Sequence, residues 1–192
     1  MNLQTRNKVD AAFSMASMTD LIFLLLKPAN PEYAKRNKLV FFIFFTYFWL
    51  NPKYKMAENL KFAVIGGGSW ATAIAKMLCA NVQEIAWYMR NEAAIEHIKI
   101  EKHNPNYLSS VEFDTNKLRL THDINEAVAY ADYLIFAIPS AFLETELANL
   151  TTSLENKIIF SAIKGIVPET SLIVGEHFHV NYNIPYDNIG VI

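Results

Sequence analysis

Residues 62–73 read FAVIGGGSWATA, and this stretch decides the fold. An apolar run of strand length leads into three glycines, and the residues after them have the composition of a helix start. Gly66, Gly68 and Ala71 take the three small positions of a G-x-G-x-x-A pattern. Between a strand and a helix, this spacing sets the pyrophosphate of a dinucleotide against the N-terminus of the helix. The stretch therefore predicts dinucleotide binding; a purely structural glycine turn is the alternative.

The flanks of the glycine stretch have the pattern of a strand–helix–strand unit. Leu60 to Ile65 is a short, largely apolar run, and Trp70 to Ala80 lacks Gly and Pro and is rich in Ala, Leu, Ile and Met. A second strand candidate, Glu84 to Met89, follows at the spacing of a βαβ unit.

Arg90 comes directly after this second strand, where such folds contact the adenosine ribose. An acidic residue there favours the free 2′-hydroxyl of NAD, whereas an arginine accepts the 2′-phosphate of NADP. Arg90 therefore favours NADPH or the use of both cofactors, and a solvated charge at a strand end is the alternative.

The composition fits one ordinary domain with an extension. The chain has 192 residues, of which 52% are hydrophobic, enough for a packed core. Its formal net charge of −2 gives no general case for nucleic-acid binding. Cys79 is the single cysteine, so an intramolecular disulfide is excluded, and its place on the apolar side of the first helix predicts a packing role.

The first 55 residues differ sharply from the rest. Residues 1–55 contain eight Lys or Arg and three Asp or Glu, which gives a formal charge of +5. Residues 56–192 contain nine Lys or Arg and sixteen Asp or Glu, which gives a formal charge of −7. Leu39 to Leu50 is an apolar run of 12 residues, whose helix would be about 18 Å long against about 30 Å of bilayer hydrocarbon. We interpret residues 1–55 as an extension from a mis-assigned start, with translation beginning at Met56. An apolar membrane anchor and an element added to the core are the alternatives.

The chain after Arg90 continues to alternate between strand and helix patterns. Asn91 and Asp123 are placed to cap helices, and Pro168 suits the first turn of another helix. Strand patterns recur at 118–121, 133–138 and 157–161, with a further helix expected over 142–150.

Strands that alternate with helices predict an α/β fold with a Rossmann-type doubly wound, mostly parallel sheet. Ligands bind such sheets beyond the carboxyl ends of the strands. That edge would carry the glycine loop, Arg90, the Pro139-Ser140 turn and Lys164.

Five motifs occur in order from Met56 onward: IGGGSWATA (65–73), WYMRN (87–91), HNPNYL (103–108), AIPS (137–140) and SAIKG (161–165). With these motifs, residues 56–192 resemble the N-terminal domain of the bacterial-type NAD(P)-dependent glycerol-3-phosphate dehydrogenases. The resemblance does not extend to residues 1–55.

The resemblance implies a cytoplasmic oxidoreductase that interconverts dihydroxyacetone phosphate and sn-glycerol 3-phosphate with NADH or NADPH, for phospholipid biosynthesis. A homodimer is implied for the whole enzyme, and no nucleic-acid or membrane partner is expected. Lys164 would also bind the substrate, whereas His97 and His103 receive no role and are expected to be exposed. The cofactor-binding residues that the resemblance implies are Gly66, Gly68, Ser69, Trp70, Arg90, Tyr107, Phe142 and Lys164.

The sequence departs from the family at its end. In the family, the strand that matches Ile189 to Ile192 leads into a helical C-terminal domain, which carries the lysine that acts as general acid and base. That domain is absent from this chain, so we expect residues 56–192 to be a truncated Rossmann domain without catalytic residues or a metal site, inactive alone.

Two other functions remain open. One is another two-domain NAD(P)-dependent dehydrogenase, against which HNPNYL and Lys164-Gly165 argue, and the other is a non-catalytic nucleotide-binding module.

Overall fold

A computed structural model of the chain describes residues 60–191. The interpretations of residues 1–55, of the apolar run Leu39 to Leu50 and of a start at Met56 lie outside the described residues. Within the described part, no helix has the length and apolar character needed to cross a membrane.

Strands and helices alternate from Phe62 to Ser161, as the sequence predicts. The sheet-forming strands and the helices between them are β1 (Phe62–Ile65), α1 (Ser69–Cys79), β2 (Ile85–Tyr88), α2 (Glu92–Glu101), β3 (Leu118–Thr121), α3 (Ile124–Tyr130), β4 (Tyr133–Phe136), α4 (Leu143–Leu147), β5 (Ile158–Ser161), β6 (Ile166–Val167), β7 (Leu172–Ile173), α5 (Val174–Tyr182) and β8 (Ile189–Val191).

Six of these strands form one parallel sheet in the order β3-β2-β1-β4-β5-β8. The central strand β1 pairs on one side with β2 and on the other with β4, so that Phe62 lies opposite both Ile85 and Tyr133. The order reverses next to β1, which is the topological switch point where doubly wound sheets bind their ligands. The predicted Rossmann-type fold is therefore confirmed.

The predicted caps position the helices that follow the strands. Asn91 Oδ1 accepts a hydrogen bond from the Ala94 N–H at 3.2 Å and begins α2. Asp123 Oδ1 accepts one from the Asn125 N–H at 2.8 Å and begins α3. Each cap satisfies a backbone donor that has no partner within the first helical turn.

The helix predicted to begin at Pro168 is not formed, and that prediction is wrong. Residues 166–173 form an antiparallel hairpin of β6 and β7, with Pro168 in the connecting turn. Ser171 has φ +57° in this turn, and its N–H donates to the Val167 carbonyl oxygen at 2.8 Å. The fixed φ of proline suits the first central position of a turn as well as a first helical turn, so the residue alone does not distinguish the two. The next helix begins only at Val174.

The helix expected over 142–150 is shorter than predicted. A 3₁₀ turn spans Ser140–Phe142, and the α-helix that follows covers only Leu143–Leu147. This turn keeps the Pro139-Ser140 segment close to the end of β4, where the candidate site lies.

Cys79 lies at the C-terminal end of α1 and is buried, as predicted. Burial raises the pKa of its thiol from the ordinary value of 9.0 to about 11. Cys79 is therefore a protonated, inert core residue at neutral pH.

We expect the native thiol to react with a disulfide reagent at pH 8 at least about tenfold more slowly than the thiol of the urea-unfolded chain. Because Cys79 is the only cysteine, absorbance of the released reagent reports it alone. The unfolded thiol ionises at lower pH than the folded one, so the free energy of unfolding should also fall as the pH rises from 9 towards 11. Equal rates in the native and unfolded chains would contradict this description.

Candidate functional site

Gly66 turns the chain at the carboxyl end of β1. Its φ is +131°, and a Cβ at this position would lie 2.4 Å from the carbonyl oxygen of Ala137, just beyond β4. Its carbonyl oxygen accepts a hydrogen bond from Trp87 Nε1 at 2.7 Å, and its N–H donates to the Tyr88 carbonyl oxygen at 3.0 Å. The fold itself therefore requires a glycine here.

Gly68 has a different environment. It is the N-cap residue of α1 with φ −80°, a conformation open to any residue, and a Cβ here would meet no heavy atom within 4 Å apart from the adjoining chain. The space in front of it is open, which fits the close approach of a pyrophosphate. Packing within the described residues does not require glycine at this position.

The N-terminus of α1 faces this open space. The Thr72 N–H makes the first helical hydrogen bond, to the Gly68 carbonyl oxygen at 2.9 Å, so the N–H groups of Ser69 and Trp70 precede the helical bonding pattern. Ser69 is exposed and Trp70 is about half exposed, whereas Ala71 is fully buried. This arrangement can bind an anion through backbone N–H groups and the helix dipole.

Asn104 fastens the HNPNYL loop to the glycine loop. Its side chain is buried, with the residue only 1% exposed. Its Nδ2 donates to the Gly67 carbonyl oxygen at 3.2 Å and to Thr72 Oγ1 at 2.9 Å. Its Oδ1 accepts hydrogen bonds from the N–H groups of Asn106 and Tyr107 at 3.0 and 3.3 Å. Tyr107, about half exposed, is thereby held beside the glycine loop.

Arg90 follows β2 and lies beside Phe142 of the turn after β4. The Arg90 side chain is 69% exposed, and its Cζ lies 5.5 Å from the centroid of the Phe142 ring. Phe142 is about half exposed. The structure thus brings together two residues to which the family resemblance gives cofactor roles.

A buried carboxylate lies behind Arg90. Glu146, in α4, is 4% exposed; its Oε1 lies 3.4 Å from Arg90 Nη1, and its Oε2 accepts a hydrogen bond from the Tyr88 hydroxyl. Burial raises the pKa of Tyr88, and the hydrogen bond to Glu146 raises it further, so the phenol keeps its proton and remains a donor.

Lys164 lies three residues beyond β5, is exposed, and precedes Gly165, which has φ +89°. A Cβ on Gly165 would lie 3.9 Å from Ser140 Oγ, so the loop after β5 is a neighbour of the AIPS turn after β4. Since β1, β4 and β5 are parallel neighbours, Lys164 and the glycine loop lie at the same edge of the sheet.

His97 and His103 are not exposed as predicted. Both are partly buried, and their rings pack edge to face with 4.8 Å between centroids. The prediction was wrong because the contact joins α2 to the HNPNYL loop, which places both rings against protein. In residues 60–191 no group of three or more His, Cys, Asp or Glu could hold a metal ion.

Sequence reasoning gave no role to Asn104 or Glu146. Asn104 stands in a motif that the sequence did single out, and a polar residue in such a motif is a usable signal. Glu146 lies in a short helix with two other acidic or polar neighbours and offers no distinguishing pattern.

The family described as "NAD-dependent glycerol-3-phosphate dehydrogenase N-terminus" matches residues 61–192. The chain is 36% identical over 122 residues to a glycerol-3-phosphate dehydrogenase [NAD(P)+] of Teredinibacter turnerae, covering 63% of this chain and 36% of that protein. It is 33% identical over 137 residues to the protein of the same name from Pseudomonas aeruginosa, and the match covers 71% of this chain and 39% of that protein. The chain thus spans less than half the length of these relatives.

Two solved structures show the same fold. A glycerol-3-phosphate dehydrogenase of Plasmodium falciparum superposes with a TM-score of 0.60 at 24% identity, over 69% of this chain and 40% of that one. The glycerol-3-phosphate dehydrogenase of Coxiella burnetii superposes with a TM-score of 0.57 at 20% identity, over 70% of this chain and 40% of that one.

The two outer glycines of the loop should respond differently to alanine. We expect Gly68→Ala to leave the thermal unfolding temperature almost unchanged but to weaken dinucleotide binding at least about tenfold, because its Cβ enters the open space. Gly66→Ala should lower the unfolding temperature strongly, because its Cβ overlaps the Ala137 carbonyl oxygen. Calorimetry and fluorescence titration measure the two effects, and unaltered affinity in Gly68→Ala would contradict the site.

Asn104 offers a test of the link between the two loops. We expect Asn104→Ala to lower the free energy of unfolding by about 1–3 kcal/mol, because it leaves buried polar groups of the glycine loop and Thr72 without their partner. Urea unfolding measures the change. Asn106→Ala, whose side chain is exposed, is the matched control and should be nearly neutral; equal effects of the two substitutions would show that the link does not stabilise the loops.

Proposed function

Since the chain belongs to the family of NAD-dependent glycerol-3-phosphate dehydrogenases, whose N-terminal region it matches, we propose that residues 56–192 form the cofactor-binding domain of an enzyme that interconverts sn-glycerol 3-phosphate and dihydroxyacetone phosphate. Membership of this family implies binding of NADH or NADPH. One observation carries the proposal: the open helix N-terminus at Gly68, the exposed Arg90 and the exposed Lys164 converge on one edge of the sheet.

The chain's own residues hold the cofactor in three places. The N–H groups of Ser69 and Trp70, with the dipole of α1, bind the pyrophosphate. Arg90 binds the adenosine ribose and its 2′-phosphate where one is present. The exposed rings of Tyr107 and Phe142 flank the site and offer apolar surface to the cofactor. The cofactor, when bound, supplies or accepts the hydride.

Lys164 is the substrate-facing residue of this domain. Its ammonium group is a compact positive charge at the edge of the sheet, suited to a phosphorylated substrate as well as to the cofactor. Hydride transfer also needs the carbonyl carbon held in place and its oxygen protonated. The resemblance assigns that proton to a lysine of the family's C-terminal domain, which lies beyond the matched region. A role in glycerophospholipid synthesis, a cytoplasmic location and a homodimer of the whole enzyme belong to this proposal and rest on the resemblance.

The 192-residue chain should bind NADH without oxidising it. We expect enhanced nicotinamide fluorescence on binding, and no change in absorbance at the nicotinamide band when dihydroxyacetone phosphate is added, because the resemblance assigns the proton donor to a domain other than the one matched here. The Gly68→Ala variant is the control for binding at the proposed site. Oxidation of NADH that depends on dihydroxyacetone phosphate would refute the expected inactivity, and failure to bind either cofactor would refute the proposed function itself.

Arg90→Asp should weaken the binding of NADPH at least about tenfold more than the binding of NADH. The 2′-phosphate of NADPH then loses a cationic partner and meets an anion instead. The measurement is the ratio of the two dissociation constants in fluorescence titrations. Lys99→Asp changes an exposed lysine of α2 by the same charge and should leave the ratio unaltered. Equal weakening of both cofactors by Arg90→Asp would show that Arg90 does not bind the 2′-phosphate.

A further inference from the structure

We propose that Glu146 is a positioning residue that sets cofactor selectivity: its buried carboxylate engages part of the Arg90 guanidinium and so lowers the preference of the site for NADPH over NADH. The inference rests on the proposed function, in which Arg90 contacts the adenosine ribose. Glu146 touches neither substrate nor cofactor, and it acts by engaging Arg90 and by placing a negative charge beside it.

The carboxylate of Glu146 is fixed in place. One oxygen accepts the hydrogen bond of the Tyr88 hydroxyl, and the other lies 3.4 Å from Arg90 Nη1. Tyr88 is itself buried at the end of β2, so the carboxylate cannot turn into solvent without leaving the phenol unpaired. The bond to Tyr88 therefore holds the Glu146 carboxylate beside Arg90.

Among the described residues, the Arg90 side chain is only partly covered. Glu146 is buried behind it and the Phe142 ring lies 5.5 Å from its Cζ, while 69% of the Arg90 side chain remains exposed. The guanidinium can thus contact a ligand, but it does so with a negative charge directly behind it. This arrangement differs from Rossmann sites in which the acidic residue itself follows the second strand and bonds the ribose.

The charge behind Arg90 affects the two cofactors unequally. A 2′-phosphate that approaches Arg90 meets a guanidinium already engaged by a carboxylate, and it is repelled by that carboxylate. The uncharged 2′-hydroxyl of NADH is not repelled in this way. Because Arg90 is largely exposed, solvent screens the pair, so the expected effect on NADPH is a factor of about two to five.

The test is to titrate the 192-residue chain and its Glu146→Gln variant with NADPH and with NADH, following nicotinamide fluorescence. Glutamine keeps an acceptor for the Tyr88 hydroxyl and a similar volume, but removes the charge. We expect NADPH to bind about two- to fivefold more tightly and NADH to change less than about twofold. The ratio of the NADH dissociation constant to the NADPH dissociation constant should therefore rise. A loss of packing alone would not change this cofactor ratio.

The matched control is Glu144→Gln, two positions earlier in the same helix. It removes the same charge, but Glu144 Oε1 faces His177 Nε2 at 3.2 Å instead of Arg90. Its cofactor ratio should equal that of the unmodified chain. A second test variant, the double substitution Tyr88→Phe and Glu146→Leu, replaces both hydrogen-bonding partners with apolar groups and should give the same rise as Glu146→Gln.

The outcomes distinguish a failure of the role of Glu146 from a failure of the proposed function. Suppose that the unmodified chain binds both cofactors, but that the cofactor ratio of folded Glu146→Gln or of the double variant equals or falls below that of Glu144→Gln. The role of Glu146 is then overturned, while the proposed function stands. If the unmodified chain binds neither cofactor, the proposed function and this inference both fail.

Discussion

The close approach between Gly66 and the carbonyl oxygen of Ala137 is the constraint on which the site depends. β1 and β4 are paired neighbours, and residues 66 and 137 leave them at the same edge, where a Cβ on Gly66 would stand 2.4 Å from that oxygen. The chain can therefore turn away from β1 only at a residue without a side chain. The Trp87 indole then fixes the peptide by its bond to the Gly66 carbonyl oxygen, which aims the start of α1 across the end of the sheet.

Two exposed rings at this edge, Tyr107 and Phe142, lie beside groups that a buried polar residue holds in place. Asn104 holds Tyr107 by its backbone and bonds the glycine loop, while Glu146 holds Arg90, on which Phe142 packs. Buried polar groups are costly unless they are satisfied, and here they are satisfied only when the loops take this arrangement. The ligand-facing surface is thus preorganised by residues that do not face the ligand.

The features that the sequence predicted are local ones. The glycine loop, the strand at 118–121 and the cap at Asn91 depend on residues within a few positions of each other, and the structure confirms them. Asn104 and Glu146 were missed because the contacts that tie them to other loops lie 32 to 58 positions away in the chain, and sequence periodicity does not reveal contacts at that separation. The helix predicted to begin at Pro168 was wrong for a different reason. The evidence for it was local, but the fixed φ of proline suits a turn as well as a helix start.

The strand order also has a consequence for how the chain folds as it is synthesised. The central strand β1 finds its first partner, β2, after 23 residues, but its second partner, β4, only after 71. At about 5–20 residues per second, β4 follows β1 by about 4 to 14 s. Throughout that interval one side of β1 presents unpaired N–H and C=O groups, which is the state most prone to pairing with another nascent chain. Docking of β4 pairs these groups and so removes an exposed strand edge on which another chain could dock.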